Sequence, residues 1–247
     1  MSFPTKLSRP FGAEKVTGSA KYYALGTGME LPDGRTFRYA LAGGTALSPG
    51  KIVAAPVPVA NHDMDLVTAV TAIGASAVTV TLGATAATAD QYADGYLYTN
   101  DGTGEGQIYR VDGHLAIASG GTGAINLDEN DKIVVALDGT TLSGLQTSPY
   151  SAVVVTPTTV TNRTVGVPAT LIAADEYGWV QTKGLASVFV NGTVVLGEPV
   201  RVAGATAPGA VQALNRDGTN ENEQEVGVVM APRAVTTHYG FIHLSID

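Results

Sequence analysis

Glycine divides residues 175–202 into short apolar runs, and this spacing constrains the fold more than any other feature of the chain. The glycines stand at Gly178, Gly184, Gly192 and Gly197. The runs between them, rich in valine and aromatic residues, are 179–181, 188–190 and 200–202. Such runs bounded by glycine are typical of strands joined by tight turns. Asn191-Gly192 accepts the positive φ angles of a hairpin turn. The segment therefore predicts a β-meander.

The same chemistry extends along the chain. Its 247 residues include 30 Gly and 12 Pro, and valine-rich runs lie between them. Residues 66–75 alone place apolar groups on one helical face, so we expect under about a tenth of the chain to be helical. Further strands are predicted at 35–39, 51–53, 78–82, 96–98, 108–111, 132–137, 153–155, 211–213, 225–230 and 242–246. The prediction is an all-β protein with two β-sandwich or barrel-like domains.

Composition divides the chain into three parts. Residues 1–22 contain prolines and glycines without any regular apolar period, which predicts an extended N-terminal arm. The Thr- and Pro-rich stretch 149–164 indicates a boundary near Pro157. We therefore predict an arm at 1–22, one β domain at 23–157 and a second at 158–247.

Charge is distributed unevenly between the arm and the rest. The net charge is −8; the arm has four basic residues against Glu14, or +3, and the remainder has 10 basic and 21 acidic residues, or −11. An acidic body argues against nucleic-acid binding, which needs clustered Lys and Arg. The arm is either a solvated terminus or a docking arm. We expect a docking arm, ordered only when bound, whose deletion leaves the β domains folded.

Several function classes find no support in the sequence. Without cysteine, disulfides, thiolate metal sites and a cysteine nucleophile are excluded. No signal-peptide core and no run of about 18 apolar residues is present, so we expect a soluble protein that binds no membrane. The histidines, at His62, His114, His238 and His243, lack zinc-site spacing. Three acidic loops lie near Asp101, Asp128 and Asp217. The second resembles a calcium loop most but lacks its sixth-position glycine and twelfth-position acid, and solvation of loops explains all three. No serine lies in a nucleophile elbow. We predict no catalytic residue, no metal and no cofactor.

The aromatic residues have two interpretations each. Trp179, the single tryptophan, is either a core residue, which its apolar neighbours favour, or a stacking platform or interface anchor. Tyr92, Tyr96 and Tyr98 would share one face of a strand, which suits a subunit interface or a half-buried sheet.

Two stretches resemble proteins of tailed-bacteriophage heads. Residues 177–184, Tyr-Gly-Trp-Val-Gln-Thr-Lys-Gly, followed by 192–200, Gly-Thr-Val-Val-Leu-Gly-Glu-Pro-Val, resemble the C-terminal part of head structural proteins, particularly small capsid decoration (cement) proteins. Residues 91–111 also resemble segments of phage virion proteins. The resemblance covers mainly 91–111 and 165–230 and includes no catalytic signature.

The resemblance implies an accessory head protein that is β-rich, usually trimeric, and bound to the outside of the capsid. We accordingly expect a non-enzymatic virion protein, made in the bacterial host cytoplasm, with the major capsid protein and other copies of itself as partners. The arm residues expected to contact the capsid are Phe3, Pro4, Lys6, Leu7, Arg9 and Phe11. The oligomer interface expected in a homotrimer consists of Tyr92, Tyr96 and Tyr98.

Two other functions remain open from the sequence. One is another virion part, a tail-tube, baseplate or fibre subunit built from similar β modules. The other is a carbohydrate-binding β-sandwich, in which Trp179 and the tyrosines would be stacking platforms.

Overall fold

The computed structural model describes residues 6–157, 162–203, 207–214, 224–232 and 237–247. The strands within them are β1 (Lys6–Ser8), β2 (Gly28–Glu30), β3 (Thr36–Leu41), β4 (Val53–Ala54), β5 (Leu66–Thr68), β6 (Ala77–Thr81), β7 (Tyr96–Asp101), β8 (Ile108–His114), β9 (Thr122–Leu127), β10 (Leu142–Gln146), β11 (Val154–Val155), β12 (Thr164–Pro168), β13 (Tyr177–Val190), β14 (Pro199–Val202), β15 (Val211–Ala213), β16 (Glu225–Ala231) and β17 (His238–Ser245). The one helical element among these residues is a 3-10 turn, Ala13–Lys15. The all-β prediction is confirmed.

The chain divides into two compact units, and one is inserted into the other. Residues 1–56 and 149–247 form the first, here the sheet unit, and residues 57–148 form the second, here the barrel unit. This differs from the predicted boundary at 157/158. The strands before and after the insertion, β4 and β11, are antiparallel partners, so the stretch 149–164 returns the chain to the sheet unit instead of linking successive domains.

The barrel unit is a closed barrel of strand order β10-β5-β6-β9-β8-β7. In β6, Val78 and Val80 are fully buried while Thr79 and Thr81 lie toward solvent, as the alternation predicts. The helical face expected at 66–75 is wrong, because Val67, Val70 and Ile73 are exposed and mark no core. The strand expected at 132–137 is also wrong: only Leu137 pairs, in a single bridge.

The sheet unit is organised around β13. Its first half pairs with β3 and its second half with β17, and the order β13-β15-β14-β16-β17 leads back to β13. The predicted turn at Gly184 is wrong: the chain continues there with φ +90°, next to a register shift in the pairing with β3. The Asn191-Gly192 hairpin is wrong too, since β14 pairs with β15 and β16.

Loops in both units are joined by isolated two-residue bridges. Three of the bridged pairs are Leu47 with Ile172, Thr71 with Leu137, and Ala87 with Ile117. In each pair both N–H groups donate to the partner's carbonyl, at 2.8–3.1 Å. Through these bridges, backbone N–H and C=O groups of the loops are hydrogen-bonded although they lie in no helix.

The N-terminal segment is packed against the sheet unit. We call residues 6–22 the strap. Its β1 pairs in parallel with β2, and Leu7 and Ala13 pack on the cluster that contains Met29, Tyr39 and Trp179. The predicted extended arm is therefore wrong for these residues, because β1 pairs with β2 and the side chains of Leu7 and Ala13 pack within the same unit. Phe3 and Pro4 lie outside the described residues.

Candidate functional site

The strap and the sheet enclose an aromatic pocket of about 340 Å³. Its floor is made by Tyr39 and Trp179, which are 3% and 4% exposed. Around the floor stand Tyr22, Tyr23 and Tyr177, and the remaining lining consists of Arg9, Pro10, Ala13, Val16, Thr17, Gly18 and Met29. A pocket of this size lies at the lower end of the range for small ligands, about 300–1,000 Å³.

Strand pairing brings the aromatic rings together. Trp179 on β13 stands directly opposite Tyr39 on β3, and Tyr177 lies two residues before Trp179 on the same face. The centroid of the Tyr39 ring is 5.1 Å from that of Trp179, 5.2 Å from that of Tyr23 and 5.6 Å from that of Tyr177. These distances are typical of aromatic pairs that contribute beyond their buried area.

Hydrogen bonds hold the strap over the floor. The Tyr39 hydroxyl accepts from the Tyr22 N–H and donates to the Ala20 carbonyl, both at 3.3 Å. Burial raises the pKa of this hydroxyl, which keeps it protonated as a donor. Gly18 and Tyr177 exchange two backbone hydrogen bonds, of 3.1 and 2.8 Å. The pocket is therefore formed by the folded chain itself.

Arg9 is the one charged residue that lines the pocket within the described part of the chain. Its side chain is exposed, and Nη2 donates to the Tyr23 hydroxyl at 2.9 Å. No ion pair to a described carboxylate involves Arg9. The pocket thus combines ring faces with a cation at its rim.

A second cavity of the sheet unit, of about 400 Å³, has a mixed lining. Its lining includes the apolar or aromatic residues Leu185, Tyr239 and Phe241 and the charged residues Glu14 and Arg35. Glu14 is buried, accepts from the Gly12 N–H at 2.6 Å and lies 4.0 Å from Arg35. Its carboxylate is already engaged in holding the strap.

Of the residues predicted to contact a capsid, the structure exposes Arg9 and Phe11. Phe11 is 60% exposed, whereas Leu7 packs inward and Lys6 pairs with Glu30 at 3.6 Å. Two strap residues that the sequence prediction missed, Val16 and Tyr22, are 61% and 74% exposed. Their only sequence signal is that they are large apolar residues in a segment without a regular period.

The predicted tyrosine interface is wrong for Tyr92. This residue is 1% exposed and belongs to the barrel core, because it lies in the turn before β7 and not on the strand. Tyr96 and Tyr98 lie half-buried on one face of β7, as predicted. The Tyr98 hydroxyl donates to the Asp63 carbonyl, and burial and the charge of Asp63 raise its pKa.

Two histidines meet Tyr92 inside the barrel. His62 Nε2 lies 2.8 Å from the Thr85 carbonyl and therefore carries the hydrogen, so Nδ1 accepts from the Tyr92 hydroxyl. The Tyr92 N–H donates to His114 Nε2, and His114 Nδ1 donates to the Leu115 carbonyl. Burial, aided by the charge of Asp63, raises the pKa of Tyr92. Every polar ring atom is engaged, which favours a structural role.

The negative charge is concentrated in the barrel unit. Residues 57–148 contain 11 acidic and 2 basic residues, or −9, and the rest of the chain contains 12 basic and 11 acidic residues, or +1. Within the described ranges these carboxylates and the histidines form no group of three or more suited to a metal. Over the same residues, no helix is long and apolar enough to cross a membrane.

Comparisons of the chain with protein-family models, curated proteins and solved structures give no match.

Proposed function

We propose that this chain is a structural protein of a tailed-phage virion that decorates the outer surface of the head, without catalysis. Its partners are the major capsid protein and, in a homotrimer, other copies of itself. The observation that carries the proposal is the exposure of three large side chains of the strap, Phe11, Val16 and Tyr22, in a segment that also contains four basic residues. The resemblance of 177–184 and 192–200 to head proteins supplies the kind of partner.

The strap has the composition of a binding surface. Large apolar side chains grouped on a surface mark interaction sites more often than scattered ones do. Aromatic residues and arginine are enriched where proteins meet, and Arg9 and Tyr22 border the same pocket. Because hydrogen bonds fix the strap before binding, the entropic cost of ordering it on a capsid is small.

Labelling of virus particles tests the proposal. Antibodies raised against the purified chain are applied, with gold markers, to particles released by the bacterium that carries the gene. Gold on the heads is the expected result. Gold confined to tails would replace the head assignment by the tail or baseplate alternative, and unlabelled particles would reject a virion role.

A pair of variants tests the surface. Phe11→Ser combined with Tyr22→Ser should abolish retention on heads, because both side chains leave water only when a partner covers them. Leu115→Ser is the control, since Leu115 is also exposed but lies in the barrel unit. Equal retention of both variants would exclude the strap as the contact surface.

A further inference from the structure

We propose that the aromatic pocket beneath the strap binds an aromatic side chain that a partner presents next to carboxylates, on an acidic peptide segment. The inference rests on the pocket alone and does not depend on the virion assignment.

The shape and lining of the pocket select a single planar group. The volume of about 340 Å³ suits one large side chain or a small molecule, and not a helix or a strand. Tyr23, Tyr39 and Trp179 meet at angles between 50° and 87°. An inserted ring can pack edge-to-face or offset against such walls, which are the favoured arrangements of aromatic pairs.

The charge of the pocket selects an anion beside that ring. Among the residues that the structure describes, Arg9 carries the only charge in the lining, and none of their carboxylates pairs with it. Its guanidinium has further N–H donors besides the one used by Tyr23. A carboxylate next to the inserted ring would accept from them, and charge-assisted hydrogen bonds of this kind are among the stronger ones.

The lining is poorly suited to a sugar. Sugar hydroxyls need several donors and acceptors, yet the described lining contains no carboxylate and no side-chain amide. The Tyr39 hydroxyl is already bonded on both sides.

The only tryptophan of the chain lies in the pocket floor, so its fluorescence reports occupancy directly. The probes are acetyl-Glu-Phe-Glu-amide, the uncharged acetyl-Gln-Phe-Gln-amide, the ring-free acetyl-Glu-Ala-Glu-amide, and methyl α-D-glucoside. The first peptide should give a saturable change. The second should bind about tenfold more weakly, which corresponds to about 1.4 kcal/mol, and the third should give no saturation.

Variants separate the contribution of the aromatic ring to binding from that of the carboxylates. Arg9→Gln should weaken binding of the acidic peptide about tenfold and leave the uncharged one unchanged. Tyr177→Ala should weaken both peptides. Lys183→Gln, which removes an exposed cation of the same unit outside the lining, should change neither. In about 1 M salt the preference for the acidic peptide should shrink, because exposed charges are screened.

Three results would overturn the inference. One is the absence of saturation with the acidic aromatic peptide, another is equal affinity for the charged and uncharged peptides, and the third is saturation by the glucoside alone. Head labelling of virus particles is independent of all three, so either proposal can fail while the other stands.

Discussion

His62 Nδ1 lies 2.5 Å from the Tyr92 hydroxyl in the interior of the barrel unit. His62 precedes β5 and Tyr92 precedes β7, so this bond joins two loops that are 30 residues apart in the chain. The backbone of His62 takes part as well, since its carbonyl accepts from the Leu145 N–H at 2.7 Å. The pair therefore ties three segments of the barrel together.

Tyr92→Phe should destabilise the barrel unit by about 1–3 kcal/mol, because it leaves the buried His62 Nδ1 without a donor. Urea unfolding at neutral pH measures the change. Tyr96→Phe is the matched control, since the Tyr96 hydroxyl has no hydrogen bond within the described residues. Equal stability of the two variants would refute a structural role for the His62–Tyr92 bond.

Local alternation in the sequence predicts strands well, and long-range pairing accounts for what it misses. In β17 the buried Ile242 and Leu244 alternate with exposed residues as expected, because period two alone decides which face is covered. Gly184 is different, because a glycine with positive φ fits a turn or a register shift within a strand equally well. Only the pairing of β13 with β3 shows that the strand continues there.

The candidate site was only partly accessible to sequence reasoning. Trp179 was predicted to be buried, and it is. Its pairing with Tyr39, however, joins positions 140 residues apart, which no short-range pattern reveals. The insertion of the barrel unit is hidden from short-range patterns for the same reason. The strands β4 and β11 pair with each other although residues 57–148 lie between them in the chain.

Gly144→Ala should destabilise the barrel unit by about 1–3 kcal/mol through overpacking. A Cβ atom at Gly144 would lie 2.6 Å from the Tyr98 ring and also against the Asp63 carbonyl. At Gly139, in the preceding turn, a Cβ atom would meet nothing within 4 Å. Gly139→Ala should therefore be neutral or stabilising by up to about 1 kcal/mol. Thermal unfolding of both variants checks the contrast, and similar losses in the two would contradict it.

Asp138→Asn should make the barrel unit less sensitive to acid. Hydrogen bonds, first from the Thr103 hydroxyl at 2.6 Å and then from Thr140, lower the pKa of Asp138 from 3.8 to about 2. A carboxyl whose pKa is lowered by folding contributes stability above its unfolded pKa and loses it as pH falls. The wild-type loss should thus occur between pH 3.8 and about 2.

Urea midpoints measured across that interval test this reasoning. The variant should show a shallower decline than the wild type, and Thr103→Ala should lie between the two because it removes the largest cause. Identical slopes for all three proteins would mean that the bonds to Asp138 do not couple folding to pH.

Deletion of residues 2–22 should lower the melting temperature of the sheet unit. The deletion removes the apolar contacts of Leu7 and Ala13 with the aromatic cluster and the paired hydrogen bonds between Gly18 and Tyr177. Loss of one Leu-sized contact costs about 1.5–3 kcal/mol, and each kcal/mol corresponds to about 2–4 °C for a unit of this size.

Emission of Trp179 should shift to longer wavelength in the same deletion variant, because water reaches the uncovered floor of the aromatic pocket. Deletion of residues 2–5, which leaves β1 intact, is the control, and the longer deletion should lower the melting temperature further and give the larger emission shift. An unchanged melting temperature after the longer deletion would mean that the strap contributes nothing to the fold and would restore the view of this segment as an independent docking arm.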